Sequence, residues 1–243
     1  MARGQLIAYR VWDLPTRLFH LVTGVCVLAL ILLGTLILYA RDLGMSAEGV
    51  VAIKTIHVSF GYVLAISLLL RFIWGFVGNK YARWTAIWPR GRGYMRELRD
   101  YADGMRAGRP RFFLGHNPAG RIAVVVIFLL LACQAITGLV LAGTDLFYPP
   151  FGGWIANWVA AVDADPSTLT PLSPELLDQA SYASMRGFRA PVVQLHEFLF
   201  YLITAAALVH VIAVVITELR EGGTIVSAMI TGRKANSVPP EDI

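Results

Sequence analysis

Four of the chain's five histidines fall in stretches of sequence that are otherwise apolar: His20, His57, His196 and His210. An ionisable group in such a setting is costly, faces the interior of a helix bundle and marks function by default. Imidazole is the commonest metal ligand and the side chain that titrates near neutrality, so the chemistry on offer is metal coordination or proton relay. The stretch PVVQLHEFLFYLITAAALVHVI carries two of the four, fourteen residues apart. In a helix that separation is a rise of about 21 Å and a rotation within about 40° of a whole number of turns. His196 and His210 therefore share one helix face at two depths.

Basic residues accompany the histidines. Arg71 follows His57 by fourteen residues and shares its face, Lys54 precedes His57 by one turn, and Arg17 precedes His20 by one turn. A buried guanidinium needs an anion; for Arg71 the alternative is snorkelling to a helix end. Gly24 and Gly61 each lie four residues after a histidine. They would let either a flat ligand or another helix approach closely. Gln134 and Thr137 read as interhelical hydrogen bonders. The two cysteines, Cys26 and Cys133, sit in apolar runs and read as small hydrophobes. There is no C-x-x-C-H, which excludes covalent attachment of a c-type haem, and HEFLF is not the H-E-x-x-H of zinc enzymes.

The elements that must position these side chains follow from composition. Of 243 residues 56% are hydrophobic and 15% charged, and the mean hydropathy is +0.61. A soluble domain carries about 25% charged residues, so the class is a membrane protein. A helix crossing the hydrocarbon core needs about 20 apolar residues, and four stretches qualify: 18–39, 50–77, 122–142 and 192–217. The helix is their only backbone solution, because lipid offers no hydrogen-bond partners. Asp13 before Pro15, and Asn117-Pro118, read as helix starts; Pro191 opens the fourth span and Gly222-Gly223 follow it. The N-terminus is too polar for a signal peptide. These stretches make a single all-α membrane domain, a bundle of four transmembrane helices.

Lysine and arginine set the direction of insertion. The connection 78–121 is rich in arginine, and the termini add Arg3, Arg10, Arg17, Arg220, Arg233 and Lys234. The connection 143–190 instead holds Asp145, Asp163, Asp165, Glu175 and Asp178. Both termini and the basic loop are thus expected on the cytoplasmic side of a bacterial inner membrane, and the acidic loop on the periplasmic side. Within the basic loop RGYMRELRDYADGMRAG has the spacing of an amphipathic surface helix, and in the acidic loop GGWIANWVAAV reads as an interfacial helix. No folded nucleic-acid module is visible. With this direction the histidines match in depth as His20 with His210 and His57 with His196. Two bis-imidazole sites stacked across a bilayer suit haem iron, whose potential is tuned by ligand identity and burial. Arg71, Lys54 and Arg17 then become candidate partners for haem propionates. His116, in FLGHNPAGR, reads as a surface or turn histidine, with a place near a quinone or a propionate as the alternative.

Several of these stretches resemble one family, the bacterial di-haem b-type cytochromes of the cytochrome b561 kind. The closer likeness is to the membrane cytochrome b subunit of respiratory nickel–iron hydrogenases. VWDLPTRLFH is similar to the family's opening, and IHVSFGYVLAISLLLRFIWGFVGN to its second span. FLGHNPAGR is similar to its Gly-His-Asn-Pro element, LHEFLFYLITAAALVH to its two-histidine fourth span, and ITELREGGTIVSAMITGR to its tail. The resemblance implies that His20, His57, His196 and His210 ligate two haems b. It further implies electron exchange between a periplasmic redox partner and the membrane quinone pool, with a quinone site beside the cytoplasmic-side haem. The acidic loop 143–190 departs from the family's pattern, and by charge it suits a periplasmic c-type cytochrome as well as a hydrogenase-like enzyme. A proton- or metal-translocating carrier is the competing reading. It would need intramembrane carboxylates or an inverted repeat, and neither is apparent.

Overall fold

The computed structural model describes residues 7–221, 224–236 and 239–242. Arg3 and the Gly222-Gly223 pair lie outside the described residues. In chain order the elements are β1 (Ile7–Arg10), α1 (Leu14–Leu38), α2 (Ala47–Val77), α3 (Trp84–Ile87) and α4 (Tyr94–Arg106). There follow α5 (Pro118–Leu146), α6 (Gly152–Val159), α7 (Gln179–Glu221), α8 (Ile225–Thr231) and β2 (Arg233–Asn236). Two single 3-10 turns, Pro166–Thr168 and Pro174–Leu176, lie between α6 and α7. The four long helices α1, α2, α5 and α7 are each long and apolar enough to cross a membrane. Their outward faces carry bare aliphatic side chains such as Leu28, Leu32, Leu69 and Leu208, as a lipid-facing surface requires.

One expected boundary is corrected. The fourth helix starts at Gln179, so Pro191 lies inside it rather than opening it. Proline removes an interior amide donor and crowds the carbonyl four residues before it. In long apolar helices that cost is tolerated when neighbours re-satisfy the backbone, and the residue four back is Gly187, beside which nothing stands within 4 Å of a would-be Cβ. The connection between α5 and α7 is correspondingly shorter than 143–190.

The chain divides into two compact units, and each long helix supplies a segment to both. The first comprises Met1–Val22, Ser67–Leu129 and Ala205–Ile243; the second comprises Thr23–Ile66 and Leu130–Thr204. In the first unit β1 and β2 pair antiparallel, Ile7 opposite Asn236 and Arg10 opposite Arg233, an addition to the all-α expectation. Gly232 turns the chain from α8 into β2 at φ +78, and a Cβ there would stand 2.6 Å from the Trp12 carbonyl oxygen. Only glycine fits such a turn. Around it Val11, Trp12, Phe112, Leu114 and Ala228 form a buried core. Asp13 caps α1 by accepting from the Thr16 amide at 3.0 Å, and it also takes the Trp74 indole N–H at 3.1 Å and the Asn79 amide at 3.3 Å. Asn117 caps α5 through the Gly120 amide at 2.7 Å. Helix α4 is the expected amphipathic helix, with Tyr94 and Tyr101 buried and Arg96, Arg99 and Asp103 exposed.

In the second unit α6 lays Ile155 and Val159 inward against Leu169 and Met185. It turns Trp154 and Trp158 outward, the placement expected of an interfacial helix. Backbone bonds from Ala161 to Leu176 and from Asp178 to Val159, both 2.9 Å, close this segment onto the start of α7.

Candidate haem sites

The second unit assembles one histidine pair from all four long helices. His57 of α2 faces His196 of α7 with ring centroids 6.4 Å apart. Gly34 of α1 and Gly138 of α5 lie against these rings. A Cβ at Gly34 would stand 3.6 Å from the His57 Cε1, and one at Gly138 would stand 3.3 Å from the His196 Cε1. Thr137 and Gln134 of α5 contact the His196 ring from the same turn, Thr137 Oγ1 at 2.8 Å from Nδ1 and Gln134 Nε2 at 3.1 Å from Nε2. They are the interhelical hydrogen bonders expected from their type and place. A cavity of about 250 Å³ opens between the helices, lined among others by Lys54, His57, Gly61, Gln134, Gly138 and His196. Gly61 has nothing within 4 Å of a would-be Cβ, so it borders this space rather than a packed neighbouring helix.

Lys54 does not stand alone. Its Nζ lies 2.5 Å from Asp145 Oδ2, and Arg189 meets the same carboxylate with two N–H groups, Nη2 at 2.9 Å. Two cations share one anion, all three at most 28% exposed. Asp145 and Arg189 were legible in sequence only as loop charges. What marks them is their position at the ends of the third and fourth apolar stretches, next to Lys54 at the start of the second.

The first unit holds the other pair. His20 of α1 and His210 of α7 again face each other at 6.4 Å between centroids. Beside His20 a groove of about 310 Å³ is lined by Leu14, Arg17, Leu18, Leu21, Met229 and Ile230. Arg17 donates from Nη1 to the Ile230 carbonyl, while its Nε is buried without a partner. Arg71 donates from Nη2 to the Ala82 carbonyl at 2.9 Å and lies over the Trp84 ring, leaving Nη1 buried and unpartnered. Gly24 is exposed with nothing near it, so close helix packing does not explain it.

His116 lies in the turn before α5, as expected of a turn histidine, and is half-buried. Its ring packs on Trp12 with centroids 5.0 Å apart, and its Nδ1 is buried without a partner. Burial, together with the neighbouring charges of Lys234, Arg71 and Arg121, pushes its pKa down to about 3. The C-terminal tail is hydrogen-bonded to the residues just before His116. Lys234 donates to the Phe113 and Gly115 carbonyls at 3.1 and 3.0 Å, and Asp242 accepts from the Leu114 and Gly115 amides at 2.6 and 2.7 Å. At Asp13 burial would raise the carboxyl, but the hydrogen bonds from Thr16, Asn79 and Trp74 outweigh it and hold the group below its usual range.

Both pairs fit one metal ion between two imidazoles. With metal–imidazole bonds of about 2.0–2.1 Å and about 1.1 Å from ring nitrogen to ring centre, two such ligands sit about 6 Å apart centroid to centroid. The observed 6.4 Å is too wide for direct contact and is the same at both sites. Two ligands per ion suit haem iron, whose other positions are filled by the macrocycle. A zinc-type site would need more, and among the described residues no group of three or more His, Cys, Asp or Glu comes together.

Comparison with known proteins supports the same chemistry. Residues 11–232 match the family model described as prokaryotic cytochrome b561. The "Probable Ni/Fe-hydrogenase 1 B-type cytochrome subunit" of Escherichia coli (strain K12) is 32% identical over 159 residues, 60% of this chain and 65% of that protein, so the match spans just under two thirds of the relative. The "Probable Ni/Fe-hydrogenase B-type cytochrome subunit" of Rhizobium leguminosarum bv. viciae is 27% identical over 92% of this chain and 87% of its own length. The protein of the same name from Cupriavidus necator is 27% identical over 96% and 89%. No solved structure matches the chain significantly.

Proposed function

The chain belongs to the prokaryotic cytochrome b561 family, and we propose that it is a membrane di-haem cytochrome b. In this reading it transfers electrons across the bacterial inner membrane, between a periplasmic redox partner and the quinone pool. The observation that carries the reading is the pair of imidazole couples, His20 with His210 and His57 with His196, at one common separation. These four residues would hold two haems b. Bound there, haem iron would supply a one-electron ferric/ferrous couple, and the paired imidazoles would close it to small ligands.

The protein's own part is to orient and to balance charge. Helices α1, α2, α5 and α7 hold the imidazoles at fixed separation, and lipid-facing aliphatic residues keep water from the sites. Arg71 and Arg17 keep buried N–H groups free for an anionic oxygen near His20, as haem propionates would provide. Lys54 and Arg189 carry one positive charge beyond what Asp145 neutralises, which suits a propionate at the other site. The arginine-rich termini and 78–121 connection support a reading in which both ends of the chain lie in the cytoplasm. The partner is a hydrogenase-like enzyme, as the relatives' names suggest, or a c-type cytochrome with a basic face.

An optical spectrum of the purified protein with haem quantification tests this. Two b haems per chain with the reduced bands of six-coordinate low-spin iron are expected. A pure, folded chain that binds no haem would end the reading.

A further inference from the structure

Resting on the di-haem reading, we infer that Thr137 is a positioning residue for one haem site. Its hydroxyl oxygen accepts the Nδ1–H of His196 and so presents Nε2 as the metal-binding nitrogen. Thr137 Oγ1 lies within 3.1 Å of the Cys133 carbonyl and 3.0 Å of the Gln134 carbonyl, both one turn back on its own helix. A hydroxyl has one hydrogen, and here it is committed to the main chain. With the hydrogen on a carbonyl, the 2.8 Å contact to His196 Nδ1 is made with the imidazole as donor and the hydroxyl oxygen as acceptor. That fixes the tautomer: Nδ1 carries the proton and Nε2 carries the lone pair.

The Gln134 side-chain amide lies 3.1 Å from Nε2, so it must turn aside before that nitrogen can take a metal. Gly138 leaves room for the ring beside α5: a Cβ there would stand 3.3 Å from Cε1. Its opposite number, His57, has no such grip: the Nδ1 of His57 is buried without a partner. The two imidazoles of one pair thus differ, one locked in tautomer and rotation by α5 and the other free to adjust. An outer hydrogen bond of this kind orients a ligating histidine and raises its basicity, which favours the ferric state.

The experiment compares the wild-type protein with Thr137→Val and Thr137→Ser. Valine keeps the shape and removes the acceptor, while serine keeps the acceptor. In Thr137→Val one of the two haem potentials should rise and its low-spin electron paramagnetic resonance signal should move, with the other haem unchanged. Haem retention at the affected site should fall about ten-fold. Thr137→Ser should restore all three. The unaffected haem reports folding within the same molecule. Should Thr137→Val not yield folded protein, Thr137→Ala replaces it with the same expectation. Potentials and spectra unchanged in the variant lacking the hydroxyl, or shifted equally by serine, overturn the inference. A wild-type protein without two haems refutes the di-haem reading instead, so the two failures are distinct.

Discussion

The two histidine pairs share a separation and differ in what surrounds them. Around His57 and His196 many polar groups are paired: Thr137 and Gln134 contact the ring of His196, and Asp145 sits between Lys54 and Arg189, while His57 Nδ1 and Gln134 Oε1 stay buried without a partner. Around His20 and His210 Arg121 pairs with Glu97, but more nitrogens are left without a hydrogen-bond partner. Among the described residues neither ring has a hydrogen-bond partner, and Arg17, Arg71, Arg121 and His116 each keep a buried nitrogen without an acceptor. The carboxylates repeat the contrast. Asp145 is held by two cations, while Asp13 is held by neutral donors, a backbone amide, an indole and a second amide. Buried polar groups are normally paired, so the unmatched unit is the one whose geometry asks for an anionic oxygen from outside the chain.

The strongest way to break this comparison is to remove one pair. His196→Ala or His57→Ala should take the haem count from two per chain to one, leaving the His20 and His210 site spectroscopically intact. Loss of the His20-side haem alone would contradict the pairing by depth. Next in size is Asp145→Asn, which leaves two partly buried cations facing each other. Removing one member of a buried ion cluster costs about 3–5 kcal/mol, so thermal unfolding in detergent should move down by many degrees. A change no larger than that of a surface substitution would mean that the cluster is solvated and that the matched character of this unit is overstated.

What was legible in the sequence is what depends on one helix at a time. Apolar length gave the four spans, and the fourteen-residue spacing gave the shared face of His196 and His210. Matching depths then gave the pairing. What depends on contacts between helices was not. Gly34 and Gly138 touch the rings from other helices, while a search keyed to spacing from each histidine selected Gly24 and Gly61 instead. Asp145 was read as a loop acid because nothing local shows that Lys54 and Arg189 converge on it. The partial burial of His116 comes from packing on Trp12, more than a hundred residues upstream. The start of α7 was misplaced because proline reads as a helix boundary, whereas Pro191 lies inside a helix whose residue four back is Gly187, with open space beside it.

His116 offers a sharper test of the unmatched unit. Its folded pKa is about 3, against an ordinary 6.5, because burial and the nearby cations disfavour the charged ring. The unfolded chain therefore binds a proton below about pH 6.5 that the folded protein refuses. Stability should fall as pH drops from about 6.5 toward 3, by up to about 1.4 kcal/mol per pH unit from this group. His116→Asn keeps a polar side chain but cannot titrate, so its stability between pH 7 and 5 should decline less steeply than that of the wild type. Equal slopes in chemical unfolding at pH 7 and 5 would mean that the ring is reached by water and that the donors around it are solvated.

The smallest effect is expected at Asp13, and its sign runs the same way for a different reason. Hydrogen bonds from Thr16, Asn79 and Trp74 keep its carboxyl below the usual 3.8 in the folded protein. The stability it contributes is complete above that value and is lost as pH falls through the lower folded one. At neutral pH Asp13→Ala removes the cap of α1 and should cost about 1 kcal/mol, with Asp13→Asn losing less because an amide oxygen can still accept from the Thr16 amide. Since the donors here are neutral, added salt should barely change either number, whereas the Asp145→Asn penalty should shrink as salt screens the two cations left behind. If both variants respond to salt alike, the distinction between a carboxylate held by charge and one held by dipoles does not separate the two units.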